Sequence, residues 1–421
     1  MELDFLWFIV AALLGCYVFI FWFLKGVNEW YYAATVAETT CRLPPGDMRW
    51  PLLGNMLSLF KTLRSVHPNS FIYNLVSSLK CNEKEEYRFD PTTHNKFKEI
   101  MSTIPRREDA WVFDLYQYEG FWCNSFQLEG MLSAREHFKP QPNQVIVSST
   151  PKSGTTWLKA LTFAIMTRFH VDESTNPLLT RLAHDCVPFI EVNLCSSPQK
   201  LNLDVPLVAT HIPYTSLPKS ITNSSCKIVY ICRDPKDAFV SLWHFNHKTS
   251  AKEEVSAMED FPLEDALEFF CQGLTPCGPY WDHLLGYWRA SLESPEMILF
   301  LKYEDLKNDT VFWVKKIAQF VGYSFSLEEE NKGVVQKIID LCSFEHMSSL
   351  EVNKSGMVRL ELGITQDGVN TYEFKNSAFF RKGKVGDWKN HLTPEMARRL
   401  DQITEQKLAG SGLTLNVSPN G

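Results

Sequence analysis

One segment of the chain combines a lysine, a glycine and several hydroxyl side chains. It reads S-T-P-K-S-G-T-T-W from Ser149 to Trp157 and lies between a predicted strand and a predicted helix. The first amides of a helix have no partner inside the helix, and the helix dipole adds partial positive charge there. Gly154 permits close backbone approach, and Lys152 supplies a positive charge. Further donors are the hydroxyls of Ser153, Thr155 and Thr156. The segment therefore predicts a phosphate- or sulfate-binding loop.

This loop differs from the nucleotide-binding loop G-x-x-x-x-G-K-[ST]. No glycine begins it, and Lys152 precedes Gly154 instead of following it. A nucleotide-binding phosphotransferase that used the same kind of helix end would need the nucleotide loop and magnesium. It stays open as an alternative function.

A second segment places a basic residue directly after a predicted strand. It runs from Arg233 to Asp237 and reads R-D-P-K-D. The forked guanidinium of Arg233 can bind a second phosphate, and Ser241 in the following helix can donate a further hydrogen bond. A surface ion pair between Arg233 and Asp234 or Asp237 is the alternative interpretation.

A third basic segment runs from Arg381 to Asn390 and includes Lys382 and Gly383. Its glycines predict a loop that allows close backbone approach, whereas a charge run taken alone is more often a solvated face. The presence of three such basic segments in one chain favours anion binding over a solvated face. Together they predict a ligand with well-separated anionic groups, such as a nucleotide phosphorylated at both ends.

Short apolar runs alternate with helical patterns from about residue 140 onward, which is typical of a parallel sheet flanked by helices. The predicted fold is α/β, a three-layer, P-loop-like fold with a central parallel sheet. Its predicted strands are 144–148, 206–210, 226–232 and 296–302.

The composition excludes several classes of protein. The chain has 421 residues, of which 45% are hydrophobic and 22% are charged, as in ordinary globular proteins. Its 42 Lys and Arg are outnumbered by 49 Asp and Glu, and the net charge of -7 argues against a nucleic-acid partner. The 11 cysteines include no C-x-x-C pair, so neither a disulfide framework nor a zinc site is predicted. We expect no metal.

The first part of the chain carries a long apolar run. Residues 5–24 contain no charged side chain, and as a helix they would span about 30 Å, one bilayer crossing. Lys25 directly after the run predicts that everything downstream faces the cytosol. We therefore predict a single N-terminal transmembrane helix before the α/β fold. The predicted domains are a membrane anchor at 1–26, a proline-containing hinge and linker at 27–105, a main domain at 106–408 and a flexible tail at 409–421.

Residues 106–408 resemble the plant branch of the cytosolic sulfotransferases. The shared motifs are PKSGTTWLKAL, ATHIPY, CRDPKDAFVS, GPYWDHLLGYW, KYEDL, CSFEHM and FRKGKVGDWKNHLT, which occur in the order that the family has. The resemblance implies an enzyme that moves a sulfuryl group from 3′-phosphoadenosine-5′-phosphosulfate (PAPS) to a hydroxyl of a small acceptor. PAPS is thus the expected co-substrate.

The resemblance also implies a role for particular residues. It implies that the 5′-phosphosulfate loop consists of Lys152, Ser153, Gly154, Thr155, Thr156 and Trp157, with Trp157 stacking on adenine. The implied 3′-phosphate site consists of Arg233, Ser241, Arg381, Lys382 and Gly383. Tyr303 and Phe344 would line the nucleotide, and His211 would be the catalytic base. Lys152 would stabilise the leaving phosphate oxygen during in-line transfer.

Residues 1–79 separately resemble the N-terminus of an ent-kaurenoic acid oxidase, a microsomal haem-thiolate monooxygenase. The segments that carry the likeness are MELDFLWFIVAALLG, NEWYY, LPPGDM, WPLLGNM and SFIYNLVS. The chain lacks the F-x-x-G-x-R-x-C-x-G loop that presents a haem cysteine, so no haem is expected. The likeness implies an anchor in the endoplasmic reticulum with a cytosolic catalytic domain, or a cytoplasmic protein if the N-terminal segment is not expressed.

The acceptor is expected to be a small hydroxylated molecule of the flavonoid, steroid or hydroxyjasmonate class. Candidate walls of its pocket are Trp122, Phe126, Tyr214 and Phe245. The family's C-terminal dimer motif is not intact around Lys332, so the oligomeric state stays open. Because the likeness changes abruptly near residue 80, a non-catalytic fusion product stays open as a further alternative.

Overall fold

A computed structural model describes residues 91–108, 111, 114–192, 205–249, 261–365 and 368–415. The predicted membrane segment, residues 5–24, lies outside these ranges, and so do the predicted anchor at 1–26 and most of the predicted linker. None of the helices within these ranges is both long and apolar enough to cross a membrane.

Four parallel strands form the central sheet: β4 (Val145–Ser149), β5 (Leu207–Thr210), β6 (Lys227–Cys232) and β7 (Ile298–Lys302). Their order across the sheet is β5-β4-β6-β7. The predicted parallel sheet is therefore confirmed, and each predicted strand agrees with the observed one to within one or two residues at its ends. The apolar runs identified the strands because strands covered on both faces need no polar alternation.

Both faces of this sheet are buried in apolar cores. Ile146 and Tyr230 belong to the core on one face, whereas Val147 and Ile231 belong to the core on the other. Successive side chains of a strand point to opposite faces, which explains the alternation. Each such side chain contributes about 1.5–3 kcal/mol by leaving water.

The remaining strands form two smaller antiparallel sheets. They are β1 (Arg106–Arg107), β2 (Leu115–Tyr118), β3 (Phe121–Cys123), β8 (Met357–Thr365) and β9 (Gly368–Lys375). β1, β2 and β3 pair in sequence order, and β8 pairs with β9 as a hairpin. A hydrogen bond from the Trp122 amide to the Gly278 carbonyl at 2.7 Å joins β3 to the main body.

Helices cover both faces of the central sheet. They are α1 (Pro91–Thr103), α2 (Ser125–His137), α3 (Thr155–Thr167), α4 (Ala183–Cys186), α5 (Lys219–Thr222), α6 (Pro235–Thr249), α7 (Leu263–Cys271), α8 (Tyr280–Glu293), α9 (Tyr303–Asn308), α10 (Thr310–Val321), α11 (Leu327–Asn331), α12 (Val334–Leu341), α13 (Phe344–Ser349), α14 (Glu351–Ser355) and α15 (Pro394–Leu408). Residues of α1, α2, α6, α7, α8 and α15 pack into one core, and residues of α3, α4, α9, α10, α12 and α13 pack into the other. The predicted three-layer α/β architecture is confirmed.

The predicted flexible tail at 409–421 needs a correction over its first part. Leu413 and Leu415 are buried in the same core as α15. Two leucines separated by one residue can anchor a short extended segment, and the Gly- and Ser-rich composition around them concealed this. Residues 416–421 lie outside the described ranges.

The order of the strands determines where a ligand can bind. β5 lies on one side of β4 and β6 lies on the other, so the chain changes direction across the sheet between β5 and β6. In parallel sheets such a change opens a crevice outside the carboxyl ends of the strands. The segments that follow β4, β5 and β6 begin at Thr150, His211 and Arg233.

Candidate active site

Side chains from all three predicted anion-binding segments line one cavity, which we call the main cavity. Its volume is about 190 Å³. The predicted site residues that line it are Lys152, Gly154, Thr155, Thr156, Trp157, His211, Arg233, Ser241, Tyr303, Phe344, Arg381, Lys382 and Gly383. Ser153 differs, because its buried hydroxyl lies 2.6 Å from Thr150 Oγ1. The Ser153 hydroxyl therefore bonds within the loop and does not line the cavity.

The loop between β4 and α3 turns through left-handed backbone conformations. Lys152 has a φ of 66° and Gly154 a φ of 111°. A Cβ atom at position 154 would lie 2.8 Å from Tyr303 Cδ2, so only glycine fits this approach. Gly154 is the N-cap residue of α3 and has no side chain with which to cap it. The first amides of α3 are thus left for a partner from outside the helix.

The Lys152 ammonium lies over two aromatic rings inside the main cavity. Its Nζ atom is 4.0 Å from the ring centre of Phe245 and 5.4 Å from that of Phe379. Burial, with the nearby charges of Arg233 and Arg381 acting in the same direction, lowers the pKa of Lys152 to about 7. An anion placed here would reverse these effects and favour the charged lysine.

Arg233 belongs both to the main cavity and to a buried ion pair. Its Nη2 atom donates a hydrogen bond to the Lys384 carbonyl at 2.7 Å and lies 3.5 Å from Asp237 Oδ2. Its guanidinium carbon is 4.6 Å from the ring centre of Tyr303. The alternative interpretation, an ion pair with Asp237, is therefore realised, except that the pair is buried and not on the surface. Phosphate binding by Arg233 stays a prediction.

Asp237 holds the third basic segment against the second. We call residues 381–390 the closing loop. The Gly386 amide donates to Asp237 Oδ2 at 2.7 Å, and the Trp388 amide donates to Asp237 Oδ1 at 3.0 Å. The Asp237 carboxylate is fully buried and also faces Arg233, so its charge is compensated from two directions. One side chain thereby fixes the closing loop at the edge of the main cavity.

Replacing Asp237 by alanine is expected to lower the free energy of unfolding by about 3–5 kcal/mol, because Arg233 would keep a buried charge without its partner. Urea denaturation of the wild type and of Asp237→Ala measures the difference in the free energy of unfolding. The matched control is Asp282→Ala, which removes an exposed carboxylate 3.4 Å from Lys407 and should cost less than about 1 kcal/mol. Equal losses in the two variants would contradict this assignment.

The arginines that line the main cavity have N–H donors available for an anionic ligand. Arg381 pairs with Asp387, yet the Nε atoms of Arg233 and Arg381 are buried and have no hydrogen-bond partner within the described part of the chain. Buried N–H groups without partners are rare in proteins. Together with Lys152 and the first amides of α3, they fit a ligand that carries phosphate groups at two positions. The described residues contain no group of three or more His, Cys, Asp or Glu side chains that could hold a metal ion.

His211 follows β5 and lies at the boundary of the main cavity. Its Nδ1 atom is 2.6 Å from the Ser149 carbonyl oxygen, which can only accept, so Nδ1 carries the hydrogen. The Nε2 atom of the neutral ring then keeps a free lone pair. Burial, together with the charges of Lys159, His283 and Lys152, lowers the pKa of His211 to about 3. The hydrogen bond to Ser149 acts in the opposite direction and does not offset them. His211 is thus neutral at physiological pH and able to accept a proton at Nε2.

A second, smaller cavity of about 20 Å³ meets the first at His211. We call it the small cavity. Its lining consists of Phe121, Trp122, Cys123, Gln127, Met131, Glu191, His211, Ile212, Pro213 and Cys277. Of the four candidate acceptor-pocket residues, Trp122 lines the small cavity and Phe245 lines the main cavity. Phe126 and Tyr214 line neither of the two; Tyr214 packs edge-on against Tyr287.

Sequence reasoning missed two groups that hold His211 in place. Glu191 accepts a hydrogen bond from the His211 amide at 2.6 Å and another from Thr210 Oγ1 at 2.9 Å. His283 Nε2 lies 3.0 Å from the His211 carbonyl oxygen and therefore donates to it. Both are far from His211 in sequence and belong to no anion-binding pattern, so only the folded chain shows their contact with it.

A lysine and a histidine beside the main cavity were also missed. The Lys159 Nζ atom lies 2.9 Å from His184 Nδ1, and His184 Nε2 lies 3.2 Å from Thr156 Oγ1. His184 lines the main cavity, whereas Lys159 is completely buried with its Nζ atom 3.1 Å from the ring centre of Phe189. Burial lowers the pKa of both side chains well below their ordinary values.

Several known proteins are similar to this chain in sequence and in fold. Residues 142–412 match the family model described as the sulfotransferase domain. A flavonol 3-sulfotransferase of Flaveria bidentis is 48% identical over 323 residues, which cover 76% of this chain and 99% of that protein. Cytosolic sulfotransferase 16 of Arabidopsis thaliana is 46% identical over 329 residues, which cover 76% of this chain and 93% of that protein.

Solved structures of sulfotransferases have a similar fold. An Arabidopsis thaliana putative steroid sulphotransferase superimposes with a TM-score of 0.59 and 35% identity over 78% of this chain and 98% of that one. A mouse sulfotransferase in complex with PAP superimposes with a TM-score of 0.51 and 25% identity over 71% of this chain and 95% of that one.

The prediction of a protein anchored in the endoplasmic reticulum membrane is wrong. Relatives that match three-quarters of this chain are named cytosolic sulfotransferases. The prediction depended on the uncharged run at 5–24, whose length is sufficient for one crossing but does not establish where a protein resides. The N-terminal likeness to an ent-kaurenoic acid oxidase gains no support from these relatives.

Proposed function

Because this chain belongs to the sulfotransferase family, we propose that its main cavity binds PAPS and that His211 is the general base of the transfer. The protein is a PAPS-dependent enzyme that transfers a sulfuryl group to hydroxyls of small molecules. The observation that carries the residue assignments is the meeting of three basic segments and the free Nε2 of His211 around one cavity.

The donor is held by groups that line the main cavity. Lys152, Thr155, Thr156 and the first amides of α3 bind the 5′-phosphosulfate, and Trp157 with Tyr303 borders the adenine. The 3′-phosphate is bound by Arg233, Ser241, Arg381, Lys382 and Gly383. PAPS supplies an activated sulfuryl group to this site. The unpartnered Nε atoms of Arg233 and Arg381 support the assignment of the 3′-phosphate, because a phosphate accepts the N–H groups that the protein leaves unused.

His211 removes the proton from the acceptor hydroxyl. The Ser149 carbonyl holds the ring with its hydrogen on Nδ1, so Nε2 accepts the proton as the acceptor oxygen bonds to sulfur. Lys152 neutralises the charge that develops on the phosphate oxygen from which the sulfuryl group departs. The position of His211 between the two cavities supports this role, since the base must face both the acceptor and the donor.

The hydroxyl-bearing edge of the acceptor reaches His211 from the side of the small cavity. This cavity is lined mainly by apolar and aromatic side chains, including Phe121 and Trp122, but its volume of about 20 Å³ is too small for a whole ring system, so the body of the acceptor needs additional space beside it. Relatives of this chain are named for flavonol and steroid acceptors. We assign the acceptor to these two classes, in which the hydroxyl projects from a rigid apolar body.

The catalytic domain is proposed to span 106–408, as its motifs indicate, and thus to begin before the 142–412 segment that the family model matches. The pairing of β3 with Gly278 and the contribution of Trp122 to the small cavity support the earlier start. Removal of residues 106–123 would open the wall of the acceptor site.

A panel of flavonols and hydroxysteroids with labelled PAPS tests the function. We expect transfer of label to at least one member of these classes by the wild-type enzyme, without added metal. Absence of transfer from PAPS, together with transfer of phosphate from labelled ATP that a chelator abolishes, would favour a phosphotransferase. Absence of both reactions and of any heat of binding with adenosine 3′,5′-bisphosphate (PAP) would favour the non-catalytic fusion product.

Binding of PAP is expected to be coupled to proton uptake by Lys152. A pKa of about 7 leaves this side chain mostly neutral at pH 8, and two phosphates nearby would raise the pKa so that about one proton is taken up on binding. Calorimetry in buffers with different ionisation enthalpies measures the uptake. It should disappear at pH 6, where the free enzyme is already protonated, and in Lys152→Met. Identical heats in all buffers at pH 8 would contradict the coupling.

A further inference from the structure

A continuous chain of polar contacts runs from the protein interior to the main cavity. It begins at Lys159 Nζ, passes 2.9 Å to His184 Nδ1 and then 3.2 Å from His184 Nε2 to Thr156 Oγ1. The His184 ring is held between Phe189, with ring centres 5.3 Å apart, and Phe379, with ring centres 4.3 Å apart. Thr156 and His184 line the cavity, whereas Lys159 lies behind them.

An anion in the main cavity determines the direction of both hydrogen bonds that connect Lys159, His184 and Thr156. A phosphate oxygen can only accept a hydrogen bond, so the Thr156 hydroxyl must donate its single hydrogen to the anion. Thr156 Oγ1 must then accept from His184, which places a hydrogen on Nε2. A neutral imidazole with that hydrogen has a bare Nδ1, which accepts from Lys159. Lysine can supply an N–H whether it is charged or neutral, so the direction does not depend on its protonation state.

We infer that Lys159 and His184 are a positioning pair that aims the Thr156 hydroxyl at the 5′-phosphosulfate of the donor. This inference rests on the proposed function, because the direction of the contacts follows from an anion in the cavity. Neither side chain needs to touch the donor. The pair occupies one lone pair of the Thr156 hydroxyl and leaves its hydrogen turned outward, so the loop presents a preformed donor to its ligand.

The two histidines of the site should carry their hydrogens on different nitrogens. His211 donates from Nδ1 to the Ser149 carbonyl, whereas the inference places the hydrogen of His184 on Nε2. Long-range proton–nitrogen correlation spectra of histidine-labelled enzyme saturated with PAP distinguish these forms directly. A hydrogen on Nδ1 of His184 in that complex would overturn the inference, and this measurement needs no variant that might misfold. Failure of the wild type to bind PAP at all would instead overturn the proposed function together with it.

A double-mutant cycle on PAP affinity separates positioning from a merely structural role. Thr156→Val removes the hydroxyl while keeping the shape, and should weaken PAP binding about tenfold as a lost hydrogen bond to a charged group. His184→Phe, which keeps a ring between Phe189 and Phe379, should weaken it about fivefold in the wild type and leave it unchanged in the Thr156→Val background. Equal losses in both backgrounds would show that His184 acts without Thr156 and would overturn the inference.

Two further variants complete the test. Lys159→Met, a change of similar shape, should weaken PAP binding about threefold in the wild type and not in Thr156→Val. His170→Phe makes the same side-chain change as His184→Phe at an exposed position of the chain, and PAP affinity should stay at the wild-type value. A loss in Lys159→Met that persists in the Thr156→Val background would also overturn the inference.

Discussion

Replacing His211 by alanine is expected to lower kcat about 10²- to 10⁴-fold, because the acceptor hydroxyl would lose its general base. PAP affinity should change little, since His211 belongs to none of the three basic segments and contacts the first of them only through the Ser149 carbonyl. Initial rates with labelled PAPS and a flavonol acceptor measure the loss, and calorimetry with PAP measures retained binding.

The acidity of the acceptor provides the internal control for His211. A strongly acidic phenol releases its proton without help, so His211→Ala should lose much less activity with such an acceptor than with a weakly acidic hydroxyl. A loss of the same size for both acceptors would mean that His211 positions the substrate and does not accept its proton. His170→Ala, at an exposed site, should retain wild-type rates with either acceptor.

Replacing Lys152 by methionine should lower kcat about 10²- to 10³-fold, the cost of removing one group that stabilises developing charge in a transition state. Methionine keeps much of the contact with Phe245 and Phe379 but carries no charge. The decisive measurement is the separation of kcat from the KM for PAPS, because a group needed mainly in the transition state affects kcat more than binding.

Lys248→Met is the matched control for Lys152→Met. It makes the same change at an exposed lysine of α6 whose charge acts on Lys152 from outside the cavity lining. We expect its kcat to stay close to the wild-type value. If both variants lost activity equally, the general electrostatic field and not the position of Lys152 would explain the effect.

Residue types and spacing predicted the three basic segments of the cavity lining, and the family resemblance added Trp157, His211, Tyr303 and Phe344. Lys152 and Gly154 follow a strand and precede a helix, and a glycine at a strand-to-helix turn is informative because few other residues tolerate its conformation. The central strands were predictable for a similar reason, since short apolar runs between turn signals have few other structural interpretations.

The contacts that assemble the site could not be predicted, because they join distant residues. Asp237 lies in a segment rich in charge, where a surface ion pair is the ordinary expectation, yet it binds amides about 150 residues away. Lys159 looks like a solvated lysine on a helix, and only the packing around α3 shows that it is completely buried. The Ser153 hydroxyl has the right chemistry, but the turn of the loop directs it to Thr150.

Within the described residues, the main cavity and the small cavity share His211 and no other lining residue. Substitutions in the small cavity can therefore accumulate while the contacts to the nucleotide stay intact. Such a division allows relatives to diversify toward new hydroxylated compounds without rebuilding the machinery that handles activated sulfate, provided that one imidazole is retained.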